Sequence, residues 1–478
     1  MQRFRIAAVG VAMAAATTGL IGGSARAAAP YVLLHSFSST EGDRPYTGLT
    51  NYYNGVNNVL FGVTSADGAN SCGSIFKQVV GGAYATVHSF TSAEGSDSSG
   101  TLVAASDGTL YGTCEFGGNV IGGYTYGTIF KMAQSGFTVT RLFAFSNDIN
   151  GELPEAGLVF GDDGNLYGTT LSASNGAFYK ITTGGTLTPL SNFWGLGISN
   201  TIVPLTRKNS SSFLGCGGYG GAYGYGTVYS TTTAGVGTVL HSFNNTDGAT
   251  PFGRLLQTAN GTILGTTAQG GAYGDGVIFK ISSAGVFQVI YNFQGSDGSS
   301  PDGGLILGTD GYFYGTTRAG GANGYGTIYR TDVNGNLDTI HSFTGTDGSG
   351  PWGELVQVGS LLYGTTVEGG ANNAGTIFSI DPANAISTMA ISPTSVHGGT
   401  SATCTVTVRD PAPYAGTVVN LTNSNPTVAT IPTFVKVING NTSASFTITT
   451  NTVASTQNVT VTGTLNTSTA SKTLTVNP

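Results

Sequence analysis

Three carboxylates stand at two places in a recurring loop. The loop reads T-D-G-x-x-P-x-G-x-L in its clearest copies, and the residue after the proline is Tyr46, Glu155, Phe252, Asp302 or Trp352. Two positions further on, where other copies have glycine, the chain has Arg254 and Glu354. Glu155, Asp302 and Glu354 are the residue types that serve as general acid and base on either side of a glycosidic bond. The sequence does not set their separation, and a carboxylate on a loop is first of all a solvated group. The same loops carry aromatic rings, and Trp194 falls on another copy. Glycine-rich loops expected on the same face add Tyr124, Tyr126, Tyr223, Tyr225, Tyr273 and Tyr325. Rings with polar tips, scattered acids and few cations suit stacking on sugar faces with hydrogen bonds to hydroxyls. The plainer alternative is that these tyrosines pack the glycine-rich loops together. The expectation is a non-catalytic binding face using Tyr46, Trp194, Phe252, Arg254, Tyr273, Asp302, Trp352 and Glu354. Its occupant would be a glycan or a protein partner. A polysaccharide hydrolase or lyase using the rim carboxylates is the alternative, and a structural surface-layer or filament component is a third.

Other chemistry-bearing residues read as scaffold. His35, His88, His241 and His341 occupy one repeated place in a strand, so a shared metal or catalytic centre is not expected of them. Asp247, Asp297 and Asp347 in the T-D-G loops are candidate calcium ligands, but no loop concentrates enough oxygens, and turn capping is the simpler role. No metal or other cofactor is expected. Cys72 and Cys114 should lie on one face of neighbouring units and are expected to form a disulfide, while Cys216 and Cys404 are expected to be unpaired. No nucleophile elbow, phosphate loop or H-E-x-x-H helix is present.

These loops are positioned by a repeat. The phenylalanine of H-S-F recurs at Phe37, Phe90, Phe145, Phe193, Phe243, Phe293 and Phe343, in steps of 53, 55, 48, 50, 50 and 50 residues. The glycine of Y-G-T-T recurs at Gly62, Gly112, Gly168, Gly215, Gly265, Gly315 and Gly364. Within one unit, a first strand ends at an N-G or D-G pair, the strongest short hairpin signal, with both central residues expected at positive φ. A return strand T-I-L-G-T-T, a glycine-rich loop and two further strands follow. A lone four-stranded meander of this length cannot bury both faces, but seven packed around an axis can. The first recognisable piece, Tyr31 to Phe37, is a fourth strand without its unit. The last, Gly375 to Ile380, is a third strand without a fourth. The two ends can complete one sheet and close the ring, which removes exposed edges. The expected fold is all-β, a seven-bladed β-propeller over residues 28–385. An open solenoid would not explain the complementary ends.

The pattern H-S-F…D-G…P…G-L…D-G-x-L-Y-G-T-T…G-G…G-T-I-F-K-I resembles the Gloeo/Verruco tandem repeat of secreted bacterial proteins. The resemblance covers nearly all of residues 34–380. It implies export and a propeller-like repeat, and no defined reaction. After Asp381-Pro382, glycine thins out and alternating runs such as ATCTVTV, SASFTITT and NVTVTG follow, with turns about every ten residues. This predicts a small immunoglobulin-like β-sandwich over 386–478. The stretch D-P-A-P-Y-A-G-T-V-V-N-L-T also resembles bacterial immunoglobulin-like domains of surface proteins.

Composition agrees with that organisation. Glycine supplies 76 of 478 residues and charged residues only 9%, which suits many tight turns and few solvated helices. Residues 1–27 read as a signal peptide: Arg3 and Arg5, an apolar run from Ile6 to Ile21, and Ala25-Arg26-Ala27 as cleavage site. The mature protein is therefore expected in the periplasm, outside the cell or on its surface, with no membrane span. The formal charge is -7, and removal of the leader's arginines makes it more acidic. Nucleic acid is excluded as a partner on that balance.

Overall fold

The computed structural model describes residues 31–146, 151–171, 176–193, 196–382, 385–409, 412, 416–438, 441–465 and 468–478. These residues form strands and turns and no α-helix. The chain divides into two compact units, Ala28–Asn384 and one that contains Ala385–Pro478.

In the first unit the described residues build seven four-stranded antiparallel sheets. Six are consecutive, over 50–89, 103–144, 159–192, 206–242, 256–292 and 306–342. The seventh joins both ends of the unit: Tyr31–Ser36 pairs antiparallel with Thr376–Ile380, from Tyr31 opposite Ile380 to Ser36 opposite Thr376. This pair carries the same irregularity as the six others between third and fourth strands, one extra apolar residue just before the H-S position. A bulge bends a strand and increases its twist, so the N-terminal strand fits the seventh sheet as a fourth strand fits its own. Buried apolar clusters sit between consecutive sheets, and one of them, with Phe37, Leu49, Leu60, Phe76, Tyr363 and Ile377, joins the seventh sheet to the first.

The repeated residues have identifiable causes. Each H-S-F phenylalanine is at most 2% exposed. The Y-G-T-T glycine lies under an aromatic ring of the third strand: a Cβ at Gly62, Gly265 or Gly315 would overlap Phe76, Phe279 or Tyr329, and would also press on the leucine just before the first strand of its own unit. Gly315→Ala is expected to cost roughly 1–3 kcal/mol as an overpacked core position, read by urea unfolding. An unchanged midpoint would refute that account of the glycine. The first Thr of the motif links neighbouring sheets, donating to the loop that enters the next one: Thr113 to Ala156 O (3.0 Å), Thr169 to Thr201 O (2.9 Å), Thr316 to Gly353 O (3.5 Å) and Thr365 to Thr47 O (3.0 Å). The last of these runs from the seventh sheet to the first.

The turn chemistry differs from expectation. At the N-G and D-G pairs only the glycine is left-handed, as at Gly261 (φ 83°) and Gly311 (φ 84°). The residue before it is not at positive φ, and its side chain accepts the backbone N–H two positions on, Asp107 from Thr109 at 2.9 Å and Asn260 from Thr262 at 3.1 Å. The asparagine and aspartate therefore serve by side-chain capping.

The repeated histidines face acids six residues later, at 3.4 Å for His35–Glu41, 3.2 Å for His88–Glu94 and 3.0 Å for both His241–Asp247 and His341–Asp347. Asp247 and Asp347 also accept the N–H of Asn244 and Thr344 at the turn. Three of the imidazoles stack on a ring of the next fourth strand: His35 on Tyr84 at 3.6 Å, His241 on Phe287 at 3.6 Å and His341 on Tyr31 at 4.3 Å. Burial lowers the basicity of His35 and His241, against the pull of Glu41 and Asp247. Among the described residues no group of three or more His, Cys, Asp or Glu is arranged to hold a metal ion.

In the second unit two sheets enclose one apolar core. One is ordered Ile386–Ser392, Ser401–Val408, Ser443–Thr450, Ala429–Thr430. The other is ordered Ser395–His397, Ser468–Asn477, Gln457–Leu465, Thr417–Asn423, Phe434–Val437. Alternation puts Cys404, Val406, Val419, Val437, Ile448, Val459 and Leu474 in that core. The burial of Cys404 follows from its strand register.

Candidate functional site

The loops that enter each sheet are held by one backbone device. The residue before the proline has a left-handed backbone: Arg44 (φ 56°), Leu153 (φ 57°), Thr250 (φ 52°), Ser300 (φ 53°) and Gly350 (φ 64°). Left-handed residues other than glycine are costly and persist where the surroundings hold them. Here both polar groups of the residue are tied. Its N–H donates to the glycine-rich loop of the preceding unit, as Thr250 to Tyr225 O (2.9 Å) and Ser300 to Asp275 O (3.0 Å). Its carbonyl accepts from the end of the second strand of its own unit, as Ser300 O from Arg318 N (2.9 Å). The proline and the variable residue follow directly. The entering loops and glycine-rich loops therefore share one face, as the strand order requires.

On that face the sixth and seventh units and the first assemble a connected group. Arg318 Nε donates to Asp302 Oδ2 at 2.5 Å. Its guanidinium lies 5.0 Å over the Trp352 ring, and Trp352 meets Tyr46 edge to face at 5.4 Å. The short link from Ser300 to Arg318 brings acid and guanidinium together. A second pair spans the fifth and seventh units, Arg254 Nη1 to Glu354 Oε2 at 3.6 Å, passing Gly304, where a Cβ would overlap the Glu354 carboxylate. Glycine at 304 thus lets the pair form across the intervening sheet.

The electrostatics of the two acids follow from their depth. Asp302, expected on the rim, is 2% exposed. Burial pushes its carboxyl up to about 6 although Arg318 pulls it down, and its Oδ1 has no hydrogen-bond partner among the described residues. Burial likewise raises Glu354, against Arg254. Arg318 keeps 43% of its side chain exposed.

The other predicted residues fall apart from this group. Phe252 packs edge to face on Tyr219 at 6.3 Å and lies against Gly218. Tyr273 is 61% exposed in the glycine-rich loop of the fifth unit. Glu155 is half-buried in the third unit, on a different entering loop from those that carry Asp302 and Glu354. Trp194 lies outside the described residues. Exposed tyrosines continue around the face at Tyr124, Tyr223, Tyr225 and Tyr325. The expected Cys72–Cys114 bridge is absent: both are free thiols. Cys114 is fully buried in the cluster between the first two sheets, Cys72 packs on its edge, and burial raises both thiols, Cys114 to about 12. The two meet the same core as apolar residues, without a bond.

Arg318 was missed on the sequence, although a signal was there. It follows the second Thr of G-T-T, where other copies have Ser65, Glu115, Leu171, Gly218, Ala268 and Val367. A cation at a repeated place that no other copy fills with one is the kind of departure that marks a site.

No curated protein matches this sequence. Among solved structures, a putative 6-phosphogluconolactonase from Bacteroides uniformis ATCC 8492 aligns at 14% identity over 66% of this chain and 88% of its own, with a TM-score of 0.45. An ulvan lyase from a new family of polysaccharide lyases aligns at 10% identity over 71% and 94%, with a TM-score of 0.46. A protein of unknown function from Dyadobacter fermentans DSM 18053 aligns at 11% over 75% and 100%, with a TM-score of 0.37. Likeness at this level transfers no activity. Among the described residues no helix is long and apolar enough to cross a membrane. The sequence pattern of the Gloeobacter/Verrucomicrobia repeat matches residues 12–172, 120–270, 169–305 and 254–476, reaching past the 34–380 stretch that carries the resemblance by eye. The chain belongs to the Gloeobacter/Verrucomicrobia repeat family.

Proposed function

We propose that this is an exported, non-catalytic carbohydrate-binding protein. In this reading residues 28–385 form a closed seven-bladed β-propeller, and an immunoglobulin-like sandwich over 386–478 serves as spacer or adhesion module. Glycan is held on the face of the entering and glycine-rich loops. The observation that carries it is the group Tyr46–Trp352–Arg318–Asp302 with the pair Arg254–Glu354: aromatic rings and guanidinium groups fixed in place on one loop face. Sugar recognition needs that combination of rigid rings and oriented donors. The leader-like residues 1–27 support export.

Cleavage is the second reading, and the raised Asp302 and Glu354 carboxyls are what favour it. Against it, each acid is paired with an arginine, and Asp302 is sealed from solvent. A glycan array and a reducing-end product assay, run on the full-length mature protein, separate the readings. Binding without product, reduced at least about tenfold in the Tyr46→Ala/Trp352→Ala variant, is expected if the rings carry the contact. Product formation lost in Glu354→Gln would overturn the non-catalytic reading.

A further inference from the structure

Arg318 is distinguished by how much of it is already committed. Asp302 takes Nε, Trp352 lies under the plane, and the backbone N–H is bound to Ser300. Among the described residues no other group takes its terminal nitrogens. They belong to a side chain that remains 43% exposed. Arg254 is committed differently: Nη1 faces Glu354 and Nε is buried. Among the described residues Arg318 is the guanidinium oriented by both an acid and a ring on this face; Arg44, on another entering loop, lies 3.8 Å from Asp43 and is 56% exposed. Tyr325 belongs to the loop that Arg318 begins, and its carbonyl accepts from Gly350, the residue whose open side faces the Arg318 stem.

We propose that Arg318 selects an acidic polysaccharide, forking its Nη edge onto the carboxylate of a uronic-acid residue. This rests on the carbohydrate-binding reading and adds the class of sugar. A planar guanidinium with fixed orientation matches a planar carboxylate through two parallel N–H···O bonds. Its conformational cost has been met in advance by Asp302 and Trp352, so less entropy is lost on binding. The remaining units lack a cation at the place of Arg318, so the proposed contact is made once per chain. The net charge of -7 argues against attraction of polyanions in general. Selection rests on local geometry.

The test uses full-length mature protein with polygalacturonate, alginate and hyaluronan, each beside its carboxyl-reduced neutral counterpart, and with a sulfated galactan. Affinity electrophoresis and calorimetry read the binding. At least one uronate polymer is expected to bind about tenfold or more tightly than its reduced form, the size of a charged hydrogen-bond pair. Arg318→Gln is expected to erase that preference at a temperature where the variant is still folded, its thermal midpoint lowered because the buried Asp302 loses its partner, and Arg318→Lys to recover only part of it. Equal binding of acidic and reduced polymers overturns the selector and leaves the carbohydrate reading standing. Undiminished preference in Arg318→Gln overturns the residue assignment. Tighter binding of the sulfated galactan overturns the carboxylate assignment. Binding to none of these polymers, nor to any glycan on the array, overturns both readings.

Discussion

A chain shortened to begin at Ser38 is expected to lose the cooperative unfolding transition of its repeat unit. The missing segment supplies the fourth strand of the seventh sheet, which pairs along Thr376–Ile380. It also supplies Phe37, fully buried between the seventh and first sheets. Tyr31 donates its hydroxyl to Asp347 O at 2.7 Å and stacks on His341, and His35 stacks on Tyr84 of the first sheet. Deleting a buried phenylalanine alone costs about 3–5 kcal/mol. Losing the strand besides exposes an edge of the seventh sheet and half of a core cluster, against a total stability of roughly 5–15 kcal/mol for a typical domain. Urea unfolding followed by near-ultraviolet circular dichroism should show no sharp transition from the repeat unit. Addition of a peptide of residues 28–37 should restore part of it, because the groove it leaves is a preformed strand site. A truncated chain that unfolds sharply at the original midpoint would refute the role of this strand in closure.

Asp302→Asn is expected to alter how stability depends on pH. The Asp302 carboxyl titrates near 6 in the folded chain against an ordinary value of 3.8. The folded state therefore holds this proton more tightly than the unfolded state does. The resulting stabilisation is complete below about pH 4 and disappears as pH rises through about 6. At about 1.4 kcal/mol per pH unit, the group is roughly 2.5 kcal/mol less favourable at pH 7 than at pH 4. Asparagine cannot titrate, so the variant should gain on the native protein by about that amount across the interval. Loss of the charge-assisted bond to Arg318 offsets the gain by a constant, since that guanidinium stays charged throughout. Paired denaturation curves at pH 4, 5, 6 and 7 give the difference directly. A difference flat with pH would mean that Asp302 titrates as an ordinary carboxylate and that its burial does not hold in solution. The Glu354 carboxyl, raised in the same direction, is unchanged in the variant and cancels.

Much of the fold was legible because it is local and repeated. The two seven-fold markers placed every unit, since a phenylalanine at the sheet-to-sheet core and a glycine under a ring must recur wherever the same packing recurs. The complementary end strands pointed to the pairing of Tyr31–Ser36 with Thr376–Ile380, because a third strand without a fourth leaves an edge that something must cover. The turn type was misjudged at Asn260-Gly261. The dipeptide is compatible with two geometries, and side-chain capping from Asn260 decided between them.

The site was legible only in outline. Sequence alone determined that variable residues after the loop proline share one face, and it nominated Tyr46, Trp352, Asp302, Arg254 and Glu354. Tertiary structure decided what they are to one another. Arg254 and Glu354 are paired across a hundred positions of chain because Gly304 leaves room between them. Asp302 is sealed rather than displayed because the left-handed Ser300 ties the second strand's end, and with it Arg318, over the acid. Cys72 and Cys114 share a core cluster without bonding, which their place in the repeat could not reveal. A repeat fixes backbone positions to within a side chain's reach. Which charges meet within that reach, and which are shut away from water, depends on single residues in neighbouring units and is settled only when the sheets pack.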